Sequence, residues 1–216
     1  MNFINIWRVH FREAFQQLNQ LNTLGVGFEL HTATASNVSR LFALLGRKDS
    51  VWLKQIEIPE RDNLTYYLID GKDVSDIAQF PFVKEHLEEN SVEPGALLIF
   101  VHKLEEGSKI FCRLNEFANE NNLISWSSKS GKPTRPVAFL NANLTQSRKE
   151  EIIADVVSGK VKVLIATSSI GAGVNLPIKV LLGWGLDPES SGLVQASGRV
   201  GRKPIMDRGD VVWVSC

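Results

Sequence analysis

A chain of 216 residues is long enough to bury one sizeable core with a smaller attachment. Its 24 basic and 24 acidic side chains cancel, so a nucleic-acid partner has to be argued from local groups and not from net charge. Cys112 and Cys216 stand alone, which excludes a disulfide framework and a Cys-rich zinc module. No apolar run approaches the length of a bilayer span, and the N-terminus lacks the basic and apolar regions of a secretory signal. The expectation is an intracellular protein, nuclear in a eukaryote, with no membrane partner and no metal site.

In chain order, residues 3–20 carry Phe11, Phe15 and Leu18 along one side of a predicted helix. Phe28 to Ser36 reads as a strand running into a loop, and Ser36 suits the N-cap of a helix over about 37–46 that stops at Gly46. Val51 to Ile58 alternates like a strand, Pro59 interrupts it, and Leu64 to Ile69 is extended again. From there the pattern predicts a helix at about 74–90, a buried strand over Ala96 to Val101 and a helix at about 105–120. A polar loop over Ser125 to Pro136 and a strand over Val137 to Leu140 follow. Thr145 caps a helix to about Val157, and strands are predicted at Val161 to Ala166, Val180 to Leu182 and Val211 to Val214. Short apolar strands alternating with helices imply a parallel α/β sheet with both faces covered.

The chemistry concentrates in residues 161–202. The strand ending at Ala166 opens into Thr167-Ser-Ser-Ile-Gly-Ala-Gly-Val-Asn175, where Gly171 and Gly173 allow the backbone to approach a phosphate or sugar closely. A Gly-Ala-Gly after a strand is more often only a tight turn. Asp187 suits an N-cap and Pro188 the first helical position, so a helix should run from there to between Gly198 and Gly201. That puts Gln195, Arg199 and Arg202 at its end. Two guanidinium forks three residues apart, flanked by glycines and with little bulk between them, suit a polyphosphate. The competing reading is a pair of surface arginines that the helix dipole favours anyway. Gln195 and the preceding strand–glycine loop tip the balance toward a phosphate site.

Together these residues resemble the signature elements of superfamily 2 helicases, and the RecQ DNA helicases in particular. Ala166 to Pro177 resembles motif V and Gln195-Ala-Ser-Gly-Arg-Val-Gly-Arg202 resembles motif VI. His31-Thr-Ala-Thr-Ala35 resembles motif III, and Arg61-Asp-Asn-Leu64 sits where RecQ proteins carry Arg-Pro-Asn-Leu between their lobes. Trp7, Phe11 and Arg12 match the aromatic-rich loop. The resemblance implies a RecA-like second lobe at 70–216, an interlobe linker at 51–69 and a C-terminal remnant of the first lobe at 1–50. It implies ATP with Mg²⁺ as cofactor, single-stranded DNA or a duplex junction as partner, and 3′-to-5′ translocation. Arg199 and Arg202 would act as arginine fingers and Gln195 as a nucleotide sensor. Gly171, Gly173 and Asn175 would meet ATP, while Trp7, Phe11, Arg12, Thr32, Thr34, Lys103, Thr167 and Ser168 would meet DNA. For Trp7 and Phe11, core packing of an amphipathic helix is an equally good reading.

Some positions depart from the family. Asn175 replaces an aspartate, and His102-Lys103-Leu104 is out of phase with the basic contact that usually follows the Ala96 strand. Asn143 replaces a glycine, where a left-handed conformation would preserve the turn. The Gly-Lys pairs at 71, 131 and 159 are followed by Asp73, Pro133 and Val161, so no phosphate-binding loop of the form Gly-x-x-x-x-Gly-Lys-Ser/Thr occurs, and neither does an Asp-Glu dipeptide. Mg²⁺ ligands are therefore expected outside these residues, on a missing first lobe, and the chain alone should not turn over ATP. It reads as a piece of a longer protein or a degenerate relic. An RNA helicase lobe and a non-enzymatic nucleic-acid-binding or regulatory module stay open beside the DNA helicase.

Overall fold

The computed structural model describes residues 61–74, 76–88, 95–126, 133–167, 175–185, 196–202 and 208–215. The chain divides after Glu60, and all of these residues belong to the unit Arg61–Cys216. The predicted elements at 3–58, the expected remnant at 1–50 included, lie outside the described residues.

The strands are β1 (Leu64–Ile69), β2 (Ala96–Phe100), β3 (Ser125–Trp126), β4 (Pro133–Thr134), β5 (Val137–Leu140), β6 (Val163–Ala166), β7 (Ile178–Trp184) and β8 (Gly209–Val214). The α-helices are α1 (Pro81–Glu88), α2 (Leu104–Glu120) and α3 (Gln146–Val157). Six strands form one sheet in the order β1-β8-β7-β2-β6-β5, with every pairing parallel. Alternation of side chains along each strand sends neighbouring residues to opposite faces. Leu97, Ile99, Val163, Ile165, Val180, Leu182 and Val212 pack with Val83 and Leu87 of α1 and with Ile110, Leu114 and Phe117 of α2. Leu98, Leu164, Leu181 and Val211 pack on the other face with Ile152 and Val156 of α3 and with Ala196 and Val200. Burial on both faces is why these strands read as unbroken apolar runs, each large side chain contributing about 1.5–3 kcal/mol of transfer free energy.

Several expectations are corrected. The stretch Leu64–Ile69, read as the end of a linker, is the edge strand of the sheet, in register from Leu64 opposite Gly209 to Ile69 opposite Val214. The helix expected over 74–90 is instead a 3₁₀ turn at Ile77–Gln79 followed by α1, with an earlier 3₁₀ turn at Gly71–Asp73. The cause is local. Asp70 and Asp76 accept from the backbone N–H groups of Lys72 and Ala78, each at 3.0 Å, and Pro81 holds Phe80 extended before taking the first helical position itself. The polar loop over Ser125 to Pro136 contains a two-residue antiparallel pairing, Ser125 opposite Thr134 and Trp126 opposite Pro133. Thr145 does cap α3, accepting from the Arg148 N–H at 3.4 Å.

Asp76 also receives the Arg113 guanidinium, with Nε at 3.1 Å from Oδ2, so the 3₁₀ turn is pinned to α2. That hydrogen bond, helped by the Ala78 N–H and the Arg113 charge, holds the Asp76 carboxyl below its ordinary range against a partial desolvation cost. A carboxyl depressed in the folded state adds stability above its unfolded pKa of about 3.9 and loses it as pH falls through the folded value. Asp76→Asn should therefore lower the urea midpoint at pH 7, and the gap from the wild type should close as pH drops below about 4. A gap that stays constant down to pH 3 would refute the assignment.

Candidate functional site

Because the sheet is parallel, its two edges differ chemically. The amino edge carries the starts of β1, β7 and β8. At that edge the chain is helical at Ala196 and Ser197, and a turn through Gly198 to Arg202 follows, with the Arg199 N–H on the Ala196 carbonyl at 2.9 Å and the Val200 N–H on the Ser197 carbonyl at 3.1 Å. Ala196 and Val200, four apart, are buried against the sheet, and Val200 has no exposed surface. This anchoring leaves Arg199 and Arg202 on either side of a buried plug, both half-buried. The Gly201 N–H reaches the carbonyl of Ile178, the first residue of β7, at 3.2 Å. Gly201 has φ +56, and a Cβ there would stand 2.9 Å from the Asn63 amide nitrogen, so both backbone conformation and space call for glycine.

Arg202 Nε donates to the Gly198 carbonyl at 2.8 Å, fixing the side chain while its terminal nitrogens lie beyond that bond. Desolvation lowers the Arg199 pKa, and the neighbouring Arg202 charge lowers it further. Partial burial and a neighbouring like charge both disfavour the charged form of a guanidinium. Asn175 is exposed and lies three residues before β7.

The carboxyl edge gathers other residues. Lys103 is exposed at the end of β2 and is the N-cap residue of α2, with no side-chain cap bond of its own. Beside it exposed His102 meets Phe100 edge to face, with ring centroids 6.1 Å apart. Thr167, immediately after β6, is only 8% exposed, which leaves little of its surface for a phosphate. Asn143 does not adopt the left-handed conformation expected of it, since Asn122 is the non-glycine residue with positive φ among those described. The turn after β5 is made another way, by the Asn141 carboxamide oxygen accepting from the Asn143 N–H at 3.0 Å.

The sequence placed the glycine loop after the end of a strand and the arginines at the end of a helix; the arginine turn stands at the amino edge of the sheet. Between it and the Lys103 edge runs the length of the sheet, about 20 Å for a seven-residue strand such as β7. Gln195, Gly171, Gly173, Ser168, Trp7, Phe11, Arg12, Thr32 and Thr34 lie outside the described residues. The sequence assigned no role to two side chains that grip the arginine turn. Arg61 Nη2 donates to the carbonyls of Val200 at 2.6 Å and Gly201 at 3.1 Å, and Asn63 Nδ2 donates to the Gly201 carbonyl at 2.9 Å. Only the resemblance of residues 61–64 to an interlobe signature could have drawn attention to them.

Comparison with known proteins agrees with this fold. Residues 81–204, more than half of the chain, match the family described as "Helicase conserved C-terminal domain". The ATP-dependent DNA helicase Hel308 of Thermoplasma acidophilum is 26% identical over 196 residues, covering 79% of this chain, and the chain spans 28% of that relative's length. Among solved structures, domain 2 of the DEAD-box helicase Mss116p bound to an RNA duplex aligns with a TM-score of 0.51 at 17% identity, over 72% of this chain and 55% of that one. The Mycobacterium smegmatis helicase Lhr bound to ssDNA and AMP-PNP aligns with a TM-score of 0.50 at 16% identity, over 71% of this chain and 19% of that one. At these identities the structural likenesses speak to the fold. With its six-stranded parallel sheet and flanking helices, the chain belongs to the helicase conserved C-terminal domain family, as a RecA-like C-terminal lobe of the superfamily 2 type.

Proposed function

We propose that this chain is the second motor lobe of an ATP-dependent DNA helicase of RecQ type, working with a first lobe that supplies the phosphate-binding loop and the Mg²⁺ carboxylates. The observation that carries this reading is the half-buried Arg199–Arg202 pair on its braced turn. Those residues fit the polyphosphate of ATP: two forked cations, one already fixed through Nε, offer several N–H donors where negative charge is greatest. Bound there, ATP would supply the energy of phosphoryl transfer. The chain's own part is to neutralise phosphate charge at the amino edge through Arg199 and Arg202, with Asn175 near the sugar. At the opposite edge Lys103 would contact the nucleic-acid backbone, and Thr167 follows the end of β6. The RecQ assignment and 3′-to-5′ direction rest on the resemblance of the Trp7, Phe11 and Arg12 loop and of Arg61 to Leu64.

Two measurements test the proposal. Incubated alone with ATP, Mg²⁺ and single-stranded DNA, the chain should release no phosphate above background; robust turnover would show that no companion lobe is needed. In fluorescence titrations it should bind single-stranded DNA at least as tightly as RNA of the same sequence. Lys103→Ala should weaken binding and reduce the salt slope by about one, the mark of a lost phosphate contact. A clear preference for RNA would move the chain to the RNA helicases.

A further inference from the structure

The residues of the arginine turn do not hold their conformation alone. The carbonyls of Val200 and Gly201 lie between the two arginines in the chain, and both are taken up by side chains from the entry to the lobe. Arg61 straddles the two with a single nitrogen, and Asn63 adds a second donor to Gly201. The entry segment is itself fixed, since the Leu64 N–H bonds the Arg61 carbonyl and the Gly209 N–H bonds the Asn63 carbonyl, each at 3.0 Å. Arg61 is the first residue of the unit, so the point at which the chain enters the lobe is bonded to the turn that presents the arginines.

We propose that Arg61 and Asn63 are positioning residues for the phosphate site: by gripping the Val200 and Gly201 carbonyls they set the separation and direction of the Arg199 and Arg202 guanidinium groups. This rests on the phosphate reading of the arginine pair given above. A turn with positive φ at Gly201 and two carbonyls outside any helix or strand ladder has several nearby conformations in reach. Donor bonds from a fixed strand start select one of them. Without that selection the two forks point independently, and an anion has to pay the ordering cost on binding. A purely architectural role, fastening β1 to β8, is the rival explanation.

The experiment uses the whole chain labelled with ¹⁵N-arginine and titrated with inorganic pyrophosphate, reading the Nε–Hε resonances. Arg199→Lys and Arg202→Lys spectra supply the assignments. In the wild type both resonances should move together to saturation. Arg61→Lys keeps the charge but loses the reach to both carbonyls, and Asn63→Ala removes one donor. Each should displace the Arg199 and Arg202 resonances before any pyrophosphate is added, and each should raise the pyrophosphate Kd, by about tenfold for Arg61→Lys. Leu182→Ala, which loosens the core far from the turn, should leave the Kd unchanged below its melting temperature. If Arg61→Lys does not fold, Asn63→Ala decides. A wild type that responds alongside variants with the same Kd and unshifted resonances overturns the positioning role and leaves the phosphate site standing. A wild type that gives no response overturns the phosphate site, and the positioning role with it.

Discussion

Supplemented with a separately expressed first lobe that carries a phosphate-binding loop, the chain should show DNA-stimulated ATP hydrolysis, and Arg202→Ala should cut kcat by about 10³-fold or more, the usual cost of losing an arginine finger. Arg199→Ala should fall in the same range, because Arg199 is presented on the same braced turn. KM should change far less than kcat, since the interaction grows as charge develops on the transferred phosphoryl group. Lysine should not substitute at Arg202: an ammonium can neither keep the 2.8 Å Nε bond to Gly198 nor offer a fork beyond it. Phosphate release under saturating ATP and DNA measures this directly. Single variants within threefold of the wild type would remove both arginines from the mechanism.

The second large effect is on stability. Leu182 has no exposed surface and sits on β7 between β2 and β8, facing the α1 and α2 side of the sheet. Leu182→Ala leaves a cavity that a sheet paired on both sides cannot readily collapse into, at a cost of about 3 kcal/mol. For a lobe of this size that corresponds to a drop in Tm of roughly 6–12 °C. Leu68→Ala is the matched control. Leu68 is 71% exposed on the edge strand, and its loss should cost less than about 0.5 kcal/mol. Urea or thermal melts of both variants make the comparison. A Leu182→Ala cost near that of Leu68→Ala would mean that the strand is not central.

What the sequence made legible follows from locality. Strands β2, β5, β6, β7 and β8 were visible because burial on both faces forces apolar runs, and α2 and α3 because a single buried stripe recurs at helical spacing. The arginine pair was visible as a spacing, whereas its half-buried setting was not. Strand β1 was seen as extended but not as part of the sheet. Its pattern, one buried residue followed by exposed Thr65, Tyr66, Tyr67 and Leu68, contains nothing that names β8 as partner. The same holds for Arg61, whose bond to Val200 spans 139 residues. The 74–90 error arose because apolar spacing was read without weighing the Asp76 side-chain bond and Pro81, which end one turn and start the next. Asn143 was misjudged because the side chain that makes the turn belongs to Asn141.

The order of strands also bears on how the lobe is made. Strand β1 is synthesised first among the six, yet within the sheet it is hydrogen-bonded only to β8, which leaves the ribosome last. Until then its exposed Tyr66 and Leu68 stand on an unpaired backbone edge, a template for the wrong strand. Closing the β1–β8 ladder is a late, long-range step that carries a large loop entropy. Nascent chains halted before Gly209 should thus leave open the backbone edge of β1 that β8 covers in the finished lobe, and bind chaperones there.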